Sequence, residues 1–179
     1  MHDDLLLVVD MQNDFVTRGG ALYFESAEGV KPVVLDCVKS HIENNQHVIL
    51  TQDWHNLDDV EFKLFVPHCI ANTNGAELFG ELKSIVRDYK YIHFIRKRKF
   101  SAFYGTDLDK ILKHLSPKKV EVCGVATNIC VMYTVEELCN REYNVIVYEN
   151  GVASYDNSLH KFAISQMKNV LGVEFDRWR

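Results

Sequence analysis

Cys130 lies in the stretch CGVATNICV, residues 123 to 131, where an apolar run ends, a small-residue corner follows and a helical pattern begins. A thiol at a helix start meets exposed N–H groups and the positive end of the helix dipole, which favour a thiolate and would equally stabilise an oxyanion. Thr127 or Asn128 could cap that helix. The competing reading is a small buried hydrophobe, the common fate of a free cysteine, and this turn by itself leaves both open. Asp10 closes the apolar run LLLVVD and Lys97 closes the run YIHFIRK. A carboxylate beside a thiol can take its proton, and a cation beside both can hold the carboxylate and favour the thiolate. Taken singly, Asp10 is also an ordinary strand-end acid. Within the basic cluster RKRK (96 to 99), Arg98 and Lys99 read as solvated charge, whereas Lys97 continues an apolar strand.

A second group is Asp53 and His55 in DWH, followed by Glu61 and His68. Residues i and i+2 at a strand end project to the same side, so Asp53 and His55 can chelate one cation, with His68 returning from the loop. Spacing alone leaves surface or hydrogen-bonded histidines as the alternative. Cys37, Cys123 and Cys139 fall inside apolar patterns and read as structural, while Cys69, directly after His68, stays undecided.

Elements that could position these residues alternate along the chain. The runs at 5 to 10, 47 to 53, 91 to 97, 119 to 125 and 144 to 150 are nearly continuous apolar segments, as expected for a parallel sheet buried on both faces. Segments 30 to 44, 107 to 115, 128 to 141 and 158 to 172 carry apolar residues at helical spacing. A three-layer α/β/α domain with a mostly parallel sheet follows. Chemistry in such folds collects beyond the carboxyl ends of the strands, and four of those ends offer Asp10, Asp53, Lys97 and the Cys130 turn. Residues 54 to 80 form a long connection that interrupts the alternation, and such a loop in a compact domain is usually functional.

Composition bounds the class. The chain of 179 residues is 47% hydrophobic and 25% charged, which fits one domain over 1–179 with a full core. A net charge of -5 argues against a nucleic-acid partner. The start, MHDDLLLVVD, places acids where a signal peptide carries bases, and its apolar run is too short for a membrane span. Five cysteines without CxxC spacing read as reduced thiols. A cytoplasmic protein is expected.

Together, VVDMQNDFV, DWH, VPHCIANTNGAEL, KRKFSAF and GVATNICV, in this order, resemble the nicotinamidase branch of the isochorismatase-like cysteine hydrolases. The resemblance implies Asp10, Lys97 and Cys130 as the catalytic residues and Asp53, His55 and His68 as ligands of a divalent metal, zinc first, with iron or manganese open. Glu61, six residues after His55, matches a variable fourth ligand or water site. The family's oxyanion hole implies a cis peptide between Val125 and Ala126, with N–H donors from Ala126 and Cys130. Phe15, Phe65 and Phe100 match positions that line a pocket for a planar ring. Asn128 departs from the family, where aspartate is frequent. The implied reaction is hydrolysis of nicotinamide to nicotinate and ammonia through a Cys130 thioester, in NAD salvage. Another amide or ureido hydrolase of the fold, or a catalytically silent binding module, are the alternatives. Expected partners are the small-molecule substrate and further copies in a homo-oligomer, with no nucleic acid and no membrane.

Overall fold

The computed structural model describes residues 4–179; of the domain expected over 1–179, residues 1–3 lie outside the described residues. Six strands, β1 (Leu5–Val9), β2 (Val48–Asp53), β3 (Ile92–Lys97), β4 (Val120–Val125), β5 (Val145–Ala153) and β6 (Glu174–Asp176), form one sheet in the order β3-β2-β1-β4-β5-β6. Every pairing is parallel. β1, β2 and β4 are buried along their whole length, which explains the unbroken apolar run of β1 and the apolar first half of β2; β2 and β4 also bury the polar Thr51, Gln52, Asp53 and Glu121.

The helices are α1 (Asn13–Val16), α2 (Ala27–Glu43), α3 (Gly80–Val86), α4 (Leu108–Leu115), α5 (Met132–Asn140) and α6 (Asn157–Asn169). Successive side chains of β1 divide between the two faces: Leu5, Leu7 and Val9 join a core with Leu112 of α4, Leu138 of α5 and Met167 of α6. Leu6 and Val8 join the opposite core with Val34 and Val38 of α2 and Leu82 of α3. The fold is therefore the expected three-layer α/β/α arrangement.

Three elements were not visible in the sequence pattern. α1, α3 and β6 have four, seven and three residues, too short to establish a period. The long connection carries only a short 3-10 turn, Val60–Lys63, and is stitched to the sheet end by isolated bridges between His55 and Ile70 and between Gln12 and Leu78.

Strand order reverses between β1 and β4, so their carboxyl ends open a crevice. Close approach at this point requires Gly124 of β4, which pairs with Val9 and has φ 119°. A Cβ there would stand 2.1 Å from the Val9 carbonyl oxygen. On the other side of β1, register places Asp53 of β2 opposite Lys97 of β3. The sheet thus delivers its acids, its lysine and the turn after β4 to one rim.

Candidate active site

Cys130 leaves β4 through a cis Val125–Ala126 peptide and a wide π-helical turn, Thr127–Val131, that runs into α5. Such turns recur at functional sites because they present side chains that a regular helix would turn away. The expected capping by Thr127 or Asn128 does not occur. Instead Thr127 Oγ1 lies 2.9 Å from His160 Nδ1, and Asn128 Oδ1 accepts a hydrogen bond from the Ser154 hydroxyl. Both side chains brace the turn from behind, against β5 and α6.

Lys97 joins the strand ends. Its ammonium is fully enclosed, 2.7 Å from Asp10 Oδ2 and 3.3 Å from Cys130 Sγ, and it donates to Asp53 Oδ1. Asp10 stands just beyond β1 with φ 50°, a left-handed conformation uncommon for a residue with a side chain. Thr51 Oγ1 accepts the Asp10 N–H at 3.1 Å and donates to Asp10 Oδ1 at 2.6 Å, which leaves Oδ2 for Lys97. Asp53 is held by Gln12, whose Oε1 accepts the Asp53 N–H at 2.7 Å and whose Nε2 donates to the Asp53 carbonyl at 2.7 Å.

Burial governs the protonation of this cluster. It raises the Asp10 carboxyl, against the pull of Lys97. It would also lift Asp53, but the Lys97 charge and the His55 contact prevail and hold that carboxyl to about 2. Burial works against the Lys97 ammonium, yet Asp10 and Asp53 keep it well above its ordinary value. For Cys130, burial pushes the thiol well up, Lys97 opposes it, and the two acids add to it. A helix start favours a depressed thiol, but desolvation with two carboxylates nearby acts in the opposite direction here.

Asp53 carries a second set of contacts on its other oxygen. Ligand atoms of Asp53, His55 and His68 all fall within 4.8 Å of one another, and all three residues are buried. The His55 and His68 Nε2 atoms lie 3.8 and 3.9 Å from Asp53 Oδ2, and 3.9 and 3.8 Å from Glu61 Oε1. These separations exceed hydrogen-bond range, and His55 Nε2 is buried with no hydrogen-bond partner. The second ring nitrogens are engaged: His68 Nδ1 lies 2.8 Å from the Val66 carbonyl and His55 Nδ1 3.2 Å from Asp59 Oδ2. Donation from Nδ1 leaves each Nε2 lone pair directed at the cluster, the outer arrangement typical of metal-ligating histidines. Burial and the Asp53 charge raise the Glu61 carboxyl. Two histidines and two carboxylates converging without mutual hydrogen bonds suit a divalent cation with mixed N and O ligands.

A narrow cavity connects the two halves, lined by Phe15, Phe65 and Phe100 together with Asp53, Glu61, His68, Ala126 and Cys130. All three expected aromatics are therefore at the site, and Phe15 and Phe65 pack on the His68 ring with centroids 5.5 and 6.2 Å away. Phe62 also packs on His55 and His68, at 5.3 and 5.5 Å, and was not anticipated. Gln12, Thr51 and Asp59 were likewise missed. Their partners are 41 residues away for Gln12 and Thr51, so nothing local marks them. Arg98 is not simply solvated: it donates twice to Asp59. Cys69 is a packing residue, buried at φ 44° with its N–H on Asp14 Oδ2.

A parallel α/β fold whose switch crevice holds an enclosed lysine, a carboxylate and a thiol brings together the residue types that a cysteine-dependent hydrolase needs. An isochorismatase domain model matches residues 4–175, and the chain belongs to that family of hydrolases. The nicotinamidase PncA from Bacillus subtilis has 31% sequence identity and a TM-score of 0.93, covering 98% of this chain and 99% of that one. A pyrazinamidase of Pyrococcus horikoshii in complex with zinc gives 29% identity and TM-score 0.88, covering 98% and 99%. N-carbamoylsarcosine amidase from Thermoplasma acidophilum gives 27% identity and TM-score 0.85, covering 98% and 96%. Resemblance to the nicotinamidases and pyrazinamidases of the family, read from five motifs, thus extends over the whole fold.

Proposed function

We propose that the chain is a nicotinamidase of NAD salvage, acting in the cytoplasm on nicotinamide through a Cys130 thioester. The observation that carries this reading is the double engagement of Asp53, which meets Lys97 on one oxygen and faces His55 and His68 with the other. It ties a cysteine-hydrolase cluster to a metal-type cluster across one aromatic-lined cavity. That lining contains no lysine or arginine among the described residues, which suits a neutral planar amide better than a carboxylate-bearing ureido substrate.

In the reaction, Asp10 takes the Cys130 proton and the thiolate attacks the carboxamide carbon. Lys97 shares its charge between the carboxylate before transfer and the thiolate after it. The oxyanion rests on the Ala126 and Cys130 N–H groups. Asp10 returns the proton to the departing nitrogen, ammonia leaves, and a water molecule, deprotonated by Asp10, opens the thioester to nicotinate and free thiol. Asp53, His55, Glu61 and His68 would hold a divalent cation, zinc, iron or manganese, that supplies a Lewis-acid grip on the pyridine nitrogen and so orients the ring. Phe15, Phe65 and Phe100 provide the flat walls. Equimolar ammonia and nicotinate from nicotinamide by metal-loaded protein is the expected result; absence of both from folded, metal-loaded protein refutes the reading.

The same reading makes the protein a homo-oligomer with no nucleic-acid or membrane partner. The exposed Leu57, Leu64, Phe162 and Val170 support self-association. Among the described residues no helix is long and apolar enough to cross a membrane. Light scattering would check the oligomer.

A further inference from the structure

Directly after Lys97, the chain places a second cation that reaches the opposite half of the site. Arg98 donates from Nε and Nη2 to Asp59 Oδ2, at 3.1 and 2.9 Å. Its side chain is 55% exposed, whereas that of Asp59 is completely enclosed. The same Oδ2 lies 3.2 Å from His55 Nδ1, and Oδ1 accepts the Glu61 N–H at 3.1 Å as the cap of the 3-10 turn. Lys99 Nζ stands 3.7 Å from Oδ1. One carboxylate therefore sets the tautomer of one candidate metal ligand and the backbone of another. The two donors of this guanidinium fork close on one oxygen, Oδ2, and so pin in place the atom that faces His55 as well as balancing its charge.

From this geometry we infer that Arg98 is a positioning residue of the metal site, acting through Asp59 on His55 and Glu61. The inference rests on the metal-binding reading proposed above. Without the fork, Oδ2 keeps only its His55 contact and the carboxylate can shift toward Lys99, so that the acceptor that keeps the His55 proton on Nδ1 and its Nε2 lone pair toward Asp53 is weakened. Outer partners of this kind contribute about 10–100-fold in metal affinity. The sign separates positioning from charge. A positive side chain near a cation site repels the cation, so removal of Arg98 as a mere charge would tighten metal binding. Removal of a residue that orients the ligands weakens it.

The test is zinc affinity, measured by competition with a chromophoric chelator at fixed pH and salt, on the wild type, Arg98→Ala, Arg98→Lys and Arg96→Ala. Arg98→Ala is expected to bind zinc about tenfold more weakly or worse. Arg98→Lys, which keeps the charge without the fork, should fall between it and the wild type. Arg96→Ala is the control for net charge, because its guanidinium lies 3.9 Å from the Trp54 ring centroid; it should bind as the wild type does or slightly tighter. Should Arg98→Ala fail to fold, Arg98→Lys decides alone. Zinc held by either Arg98 variant as tightly as by the wild type, or more tightly, overturns the inference. A wild type that binds no zinc, iron or manganese overturns the metal reading itself, before any variant is compared.

Discussion

Replacing Lys97 by methionine keeps most of the buried side-chain volume and removes the charge that Asp10, Asp53 and Cys130 share. At an effective dielectric of ~20, a unit charge at the 2.7 Å separating Nζ from Asp10 Oδ2 contributes roughly 6 kcal/mol, and one at the 3.3 Å to Cys130 Sγ roughly 5 kcal/mol. The two values differ by about 1 kcal/mol. Lys97 therefore does not drive the proton from thiol to carboxylate; it supports whichever of the two carries the negative charge. In Lys97→Met neither ion has that support, so Asp10, already raised by burial, holds its own proton and the site has no base. Loss of roughly 5 kcal/mol from the reacting state corresponds to between three and four decades in kcat/KM, at about 1.4 kcal/mol per decade. Ammonia release from nicotinamide by metal-loaded protein, with the fold checked by near-ultraviolet circular dichroism, measures it. Asp10→Asn should lose a similar amount, and the double variant should lose little more than either single one, because the two act as a unit. A Lys97→Met enzyme within tenfold of the wild type would refute this reasoning, as would fully multiplicative losses.

Other outcomes follow from the same geometry. Cys130→Ala should abolish turnover while folding normally, and wild-type-like ammonia release by that variant would remove Cys130 as nucleophile. Since Asp10 must be ionised to act as base and burial raises its carboxyl, kcat/KM should fall as pH drops through a value above the usual carboxylate range. A flat profile down to the range of an ordinary aspartate would contradict this. Chelation or His55→Ala should reduce use of nicotinamide far more than use of benzamide, which lacks the ring nitrogen; an unchanged ratio of specificity constants would mean the cation does not read the ring. Gly124→Ala should destabilise the fold by more than about 4 kcal/mol, the range of exceptional single substitutions, because the new Cβ collides with the Val9 backbone at a positive φ. Urea titration measures that loss.

The chain pattern by itself determined the layered architecture and the candidate catalytic atoms. Five of the six strands announced themselves by apolar runs, as buried parallel strands do, although β3 lies at the sheet edge and buries only Ile95 and Lys97 fully; the residue that ends each run is placed at the sheet rim by strand geometry alone. Asp10, Asp53, Lys97 and Cys130 were legible for that reason, and the five ordered motifs added His55, His68, Glu61 and the three phenylalanines. Tertiary structure decided the remainder, because those interactions join residues distant in sequence and depend on which strands become neighbours. Only the order β3-β2-β1-β4 brings Lys97 between Asp10 and Asp53. Only the path of the loop after β2 buries Asp59 behind His55, where Arg98 ceases to be a surface charge. The thiol shows the limit most directly: a helix start argues for an acidic cysteine, but enclosure beside two carboxylates has the opposite effect. Enclosure is a property of the assembled crevice, since desolvation arises from every element that closes around an atom and no local stretch of sequence encodes it.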